Sequence, residues 1–427
     1  MSWDAAHLML REGHRDARDA AERTARQSYG KLVAFLAHRL RDVAAAEDAL
    51  AEAFAAALAD WPRNGVPDRP EAWLLTVARR KAVDSDRRRR HREEATSDLQ
   101  LLTEELTDSA NANEAAIPDH RLALIFACAH PAIDERIRAP VMLQAVLGFD
   151  AATIASAFLV APAAMAQRLV RAKAKIREAG IPFRVPERTE MRDRLAPVLE
   201  AIYAVFSEGW SDPAGTETRR RNLADEAIWL GRLVGSLLPQ EPEALGLLAL
   251  MLFAEARRGA RRNAAGDYIP LAEQDPAQWD ARLIDKAETL LLRASRMGAL
   301  GRYQLEAAVQ SAHVVRARTG TADWAAIARL YGALMELTGS PVVAINRAIA
   351  TAEAEGPTAG LALLDVTAAD ARLQEYQPYW AARAELLART GDGAGAVEAY
   401  QLAIGLEADP AVRRFLQQRR DALGSGG

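Results

Sequence analysis

Arg168, Arg171, Lys173, Lys175 and Arg177 place five positive charges within ten residues of the stretch APAAMAQRLVRAKAKIR (161–177), with no acid among them. Cations at that density bind phosphate. A second cluster, RRKAVDSDRRRRHR (79–92), sets eight Arg or Lys against two Asp. Between the two, residues 93–119 carry eight acids and no Lys or Arg, so the net charge of −4 averages over strongly opposed segments. Bond-making chemistry has no comparable carrier. There is no nucleophile elbow and no P-loop, and the histidines are scattered. Cys128 and His130 form the only close Cys/His pair, too few ligands for zinc. A chain without catalytic residues, metal or cofactor is expected, with Cys128 as a buried structural thiol in a reducing cytoplasm.

The basic stretch needs an element that sorts its charges. On a helix, Met165, Leu169, Ala172 and Ile176 share one apolar stripe, at positions i, i+4, i+7 and i+11. Ala163, Gln167, Val170 and Ala174 lie opposite. Arg168, Arg171 and Lys175 form one rim of that exposed face, and Lys173 and Arg177 form the other. Small residues between two basic rims suit a DNA major groove, with Gln167 or Arg171 reaching base edges and Val170 meeting a thymine methyl. The preceding FDAATIASAF (149–158) reads as a short helix capped by Asp150, followed by a tight turn and Pro162 in the first turn of the next helix. Short helix, turn and longer basic helix make a helix-turn-helix. An ordinary helical hairpin with a solvated basic face is the alternative.

The first cluster sits on a helix over 71–90, where Leu75, Ala78 and Ala82 face a core and Trp73, Val77 and Arg80 share the other side. A ring for stacking beside Arg79, Arg80 and Lys81 is a platform for single-stranded DNA. Alternatively, Trp73 packs on the helical stretch before it.

Composition agrees with an all-α chain: half of the 427 residues are apolar, 6% are aromatic, and Ala and Leu dominate. The apolar run at 244–254 is too short to span a membrane, and the first residues lack a signal-peptide pattern. Helix is expected over 28–92 with one break, the turn WPRNGVPDRP (61–70). An acidic linker follows at 93–118, then a helical unit at 119–180, a boundary at IPFRVP (181–186), and short helices over 187–427. In that last region Trp380, Ala384, Leu387, Ala396, Tyr400 and Ala403 fit tetratricopeptide spacing. Ala348, Thr351, Gly360 and Leu364 fit a second copy, and Ile327, Tyr331 and Leu334 a third. An α-solenoid-like array is therefore expected, interrupted by a protruding loop at 255–279 whose arginines form a solvated or ion-paired face.

AEDALAEAF (46–54), PEAWLLTVARRKAVD (70–84) and QRLVRAKAKIREAG (167–180) together resemble, in order and spacing, a sigma factor of the extracytoplasmic-function group of the sigma-70 superfamily. CAHPAID (128–134) and FSEGW (206–210) resemble the subgroup with a tetratricopeptide-like C-terminal extension. The resemblance implies region 2 at 1–92 and region 4 at 119–180. It implies core RNA polymerase and promoter DNA as partners. Asp48, Leu50, Glu52 and Phe54 would contact polymerase, with Ala51 standing where glutamine is usual. The turn with Trp61, Arg63 and Asn64 would capture a flipped minus-ten base, and Trp73, Arg79, Arg80 and Lys81 would hold the melted strand. Gln167, Arg168, Val170, Arg171, Lys173 and Lys175 would read the minus-thirty-five element. The acidic linker would thread the polymerase channel. A link to small YCII-like proteins is also implied, and the free chain is expected to be a monomer. The competing readings are a polymerase-independent helix-turn-helix regulator with a tetratricopeptide sensor, and a scaffold.

Overall fold

The computed structural model describes residues 3–90, 119–158, 160–210 and 218–424, and among these no strand occurs. The acidic linker at 93–118 lies outside the described residues. The chain divides into two compact units, Met1–Val205 and Phe206–Gly427.

The first unit begins with α1 (Trp3–Leu40), α2 (Val43–Asn64) and α3 (Pro70–Arg90). The expected helix over 28–61 is broken at Arg41, whose φ of 53° is left-handed, and Asp42, whose carboxylate accepts from Ala45 N and starts α2. The expected turn is shorter than its Pro/Gly content suggested. Helix α2 runs through Pro62 and stops at Gly65, where φ is 84°. Four further helices follow: α4 (Arg121–Cys128), α5 (Glu135–Leu147), α6 (Ala151–Ala157) and α7 (Pro162–Glu178). Leu32, Val33, Leu36, Leu50, Leu74, Phe126 and Met142 are buried, so α1 to α3 and the later helices contribute to one unit. Helix α1 crosses α5 so closely that a Cβ on Gly30 would strike the Val146 carbonyl oxygen, and the Tyr29 ring covers Gly148. Cys128 is buried, and burial pushes its thiol far above the ordinary range. Residues 181–186 lie against this unit, with Ile181 and Phe183 buried and His38 Nδ1 2.9 Å from the Phe183 carbonyl oxygen. The division between units falls inside α8 (Arg188–Trp210).

The second unit continues through α9 (Thr218–Leu237), α10 (Pro242–Ala256), α11 (Ala281–Ser295), α12 (Arg302–Thr319) and α13 (Trp324–Thr338). It ends with α14 (Pro341–Glu355), α15 (Pro357–Thr367), α16 (Gln377–Thr390), α17 (Gly393–Leu406) and α18 (Pro410–Gly424). The small-and-large spacings lie where hairpins close. Ala384, Leu387, Ala396, Tyr400 and Ala403 form one core between α16 and α17, with Trp380 packed against it. Ala348, Leu364 and Tyr379 join another, while Ile327 and Leu334 anchor α13. The segment 255–279 is folded down rather than protruding. It makes short 3-10 turns, Trp279 is buried, and Arg257 bonds to Gln310. Arg258 pairs with Glu255 at 2.8 Å and Arg262 with Asp409 at 2.5 Å. Arg261 lies 4.5 Å over the Trp210 ring. Burial lowers the Arg257 guanidinium to about 10.

A Cβ on Gly360 would sit 2.5 Å from Ala352 Cβ and 2.6 Å from the Ala348 carbonyl oxygen, contacts that backbone cannot relieve cheaply. Gly360→Ala is expected to destabilise the second unit by about 1–3 kcal/mol, read as an earlier unfolding transition in a urea titration.

Candidate nucleic-acid interface

Helix α7 is built as its periodicity predicts. Met165, Leu169, Ala172 and Ile176 are buried, and the opposite face carries exposed Ala163, Gln167 and Val170. Val170 is 64% exposed, an apolar side chain left in water among the described residues. Pro162 occupies the first turn, and the α6–α7 pair has helix-turn-helix order. Asp150 starts α6: its carboxylate accepts from Ala152 N at 3.0 Å, Thr153 N at 2.9 Å and the Thr153 hydroxyl at 2.7 Å. Those bonds, the hydroxyl's first, hold the Asp150 carboxyl below its ordinary range.

The two rims of α7 differ. Arg168, Arg171 and Lys175 are exposed and make no ion pair among the described residues. Lys173 instead donates to Glu47 Oε2 on α2 at 2.5 Å, and Arg177 reaches Asp42 Oδ2 at 3.2 Å. Glu47 is mostly buried, and that burial raises its carboxyl despite the opposing effect of Lys173.

Around α3 the sequence candidates also part company. Trp61 is only 2% exposed and belongs to the core, so its ring is not open to a base. It supports Trp73, whose ring meets it edge-on at 5.5 Å and is half-buried. Arg80 is exposed. Arg79 is half-buried over the Phe35 ring at 5.1 Å, and its desolvation lowers the guanidinium. Lys81 pairs with Glu52 at 3.2 Å across an exposed gap, a contact of little energetic weight. Arg63 and Asn64 are exposed at the end of α2, with Asn64 donating to Asp60 at 2.7 Å. On α2 itself Asp48 and Glu52 face outward one turn apart, Phe54 is half-buried, and Leu50 is wholly buried.

Beside the loop after α2 lies a cavity of about 530 Å³, lined by Arg23, Thr24, Lys31, Asp68, Arg69 and Glu71. Its α1 wall was not among the sequence candidates. Arg23, Gln27 and Lys31 recur every fourth residue, so the signal was a polar helix face that begins upstream of the stretch taken as helical and runs into it. The mixture of cations, carboxylates and an amide suits a polar, planar ligand reached from solvent.

The helices α1 to α3 carry a recognisable pattern: residues 25–92 match the model of sigma-70 region 2. Over that segment the chain is similar to the sigma-70 family. Residues 194–295 match a family of unknown function (DUF6596). The "Uncharacterized protein R00370" of Rhizobium meliloti (strain 1021) is 38% identical over 402 residues, which is 93% of this chain and 93% of that protein. The similarity therefore extends over nearly the whole of both chains. No solved structure matches it. Sigma-70 region 2 is a non-enzymatic domain, and no described helix is long and apolar enough to cross a membrane.

The Asp150 cap gives a pH prediction. A carboxyl lowered in the folded state contributes stability that is present above its unfolded value, near 3.9, and lost as pH falls through the folded value. The protection of the α6 amides relative to their intrinsic exchange should therefore fall on acidification. Asp150→Ala should remove about 1 kcal/mol of protection at neutral pH, whereas Asp150→Asn should keep most of it.

Proposed function

We propose that this chain is a sigma factor, of the extracytoplasmic-function type with a regulatory helical extension. It binds core RNA polymerase, recognises promoter DNA with two surfaces and favours its melting. The observation that carries this reading is the presence, in one unit, of sigma-70 region 2 and a helix-turn-helix with an exposed basic face. Asp48 and Glu52 supply the exposed carboxylates for polymerase, with Leu50 holding α2 from behind and Phe54 at the edge. Trp73, supported by Trp61, and Arg80 face the melted strand. Arg63 and Asn64 end the helix from which the loop lining the cavity departs, and that cavity would take the flipped base. Gln167, Arg168, Val170, Arg171 and Lys175 meet the minus-thirty-five duplex.

Melting then follows from differential affinity. The opened strand is held through stacking worth about 1–3 kcal/mol per base, and the closed duplex offers no such contact at that site. Neither surface needs high affinity alone, because tethering both to polymerase raises the effective concentration of the second contact. The helical hairpins of the second unit present surfaces suited to protein segments and are assigned the regulatory role, as the attachment point for signals or small partner proteins.

Co-purification with core polymerase separates this from a solitary regulator. A sigma factor forms a stoichiometric complex that Asp48→Lys/Glu52→Lys disrupts, whereas binding of promoter DNA without polymerase would sink the proposal. Within the complex, Arg171→Ala should weaken duplex binding and lower the salt slope by about 1.

A further inference from the structure

Four arginines, Arg257, Arg258, Arg261 and Arg262, follow one another where α10 ends, and their surroundings differ. Arg258 pairs with Glu255 at 2.8 Å and Arg262 with Asp409 at 2.5 Å. Arg257, the C-terminal cap of α10, and Arg261 have no carboxylate within ion-pair reach among the described residues. Their bonded partners are neutral. Arg257 Nε donates to the Phe253 carbonyl oxygen at 3.3 Å, and Nη2 donates to Gln310 on α12. Arg261 Nη1 donates to the Trp210 carbonyl oxygen at 3.0 Å, with its guanidinium over that residue's ring. The carbonyl ends of α8 and α10 supply only partial negative charge. Burial disfavours the charged form of both side chains, and Arg261 adds repulsion at Arg257. Asp409, which also acts on Arg261, is already held by Arg262.

We infer that Arg257 and Arg261 form a binding site in the second unit for an oxyanion group, phosphate or carboxylate, carried by a small molecule. Two guanidiniums drawn partly out of water without a counter-charge are costly, and an anion removes that cost. The donors it needs are in place. Arg257 Nη1 and Arg261 Nε and Nη2 meet no acceptor among the described residues, and both side chains reach solvent. A guanidinium fork matches the two oxygens of a carboxylate or phosphate edge. The stacked Trp210 ring and the Gln310 amide hold the two forks in place before any ligand arrives. An extended acidic peptide would need a row of open cations, whereas the flanking Arg258 and Arg262 are already neutralised. The same turn touches Trp210 of α8, Gln310 of α12 and Asp409 ahead of α18, so a seated anion reinforces a junction of three segments distant in sequence. The site lies wholly within the second unit and does not depend on the sigma-factor reading.

Isothermal titration calorimetry of the full chain with inorganic phosphate, phenyl phosphate and succinate, at fixed ionic strength in chloride, tests the site. At least one of the three should bind saturably, and the ranking of the phosphates against the dicarboxylate identifies which oxyanion the site takes. Arg257→Gln and Arg261→Gln should each weaken that binding about tenfold or more. Arg414→Gln, which removes an exposed cation paired with Asp267, sets the baseline and should leave the affinity nearly unchanged. Absence of saturable binding by all three anions, or equal weakening by Arg414→Gln, overturns the proposal. Saturable binding of an oligoglutamate peptide alone overturns it too, since the occupant would then be a protein segment. If the variants fail to fold, phenylglyoxal modification of the native chain followed by mass spectrometry decides. The anion that binds should slow labelling of Arg261 several-fold and leave labelling of Arg414 unchanged. Equal protection of the two, or none at Arg261, contradicts the site.

Discussion

Everything in the first unit turns on one helix that has to be dry on one side and charged on the rest. Helix α7 buries Met165, Leu169, Ala172 and Ile176, which is what fixes it against the other helices of its module. Its charge cannot share that face, because an unpaired buried cation would cost several kcal/mol. The cations are driven to two rims, and each rim must find either water, phosphate or a protein carboxylate. Arg168, Arg171 and Lys175 take water; Lys173 and Arg177 take Glu47 and Asp42. The inner rim thus ties α7 to α2.

Much of this was legible in the sequence because it is local. The α7 stripe, the Asp150 cap, Pro162 and the hairpin spacings around Ala384–Tyr400 and Ala348–Leu364 are set by helical periodicity and by cap chemistry, both readable within a few residues. What escaped depends on residues far apart in the chain. Glu47 meets Lys173 across more than a hundred positions, and no pattern within either segment announces it. Trp61 and Leu50 looked like surface residues of a loop and a docking helix. Their burial follows from α3 and α1 closing over them. The break at Arg41 was hidden because no Gly or Pro marks it, and the left-handed turn of Arg41 before the Asp42 cap is not dictated by the residue types alone. The 255–279 segment, rich in Arg and Gly, read as a protrusion. Its arginines instead meet Gln310, Glu255, Asp409 and the face of Trp210.

The arrangement explains how modest contacts yield a specific outcome. On the proposed sigma-factor reading, the platform around Trp73 favours strands already open, and polymerase supplies the proximity that lets a modest second contact count. In the second unit, hairpin faces are packed through small residues, Gly360 and Ala396 among them, leaving exposed Val366 and Leu402 on outer surfaces. Such an array can hold a partner segment without itself touching DNA, which fits a module that adjusts when the first unit is used.

The central claim is that separate cationic surfaces grip paired and opened DNA while α2 holds polymerase. The most direct measurement is start-site mapping by transcription with core polymerase supplied by this chain and by Arg80→Glu/Arg171→Glu. The account predicts that the double reversal abolishes promoter-specific starts while leaving the chain bound to polymerase. Unchanged start sites would contradict it.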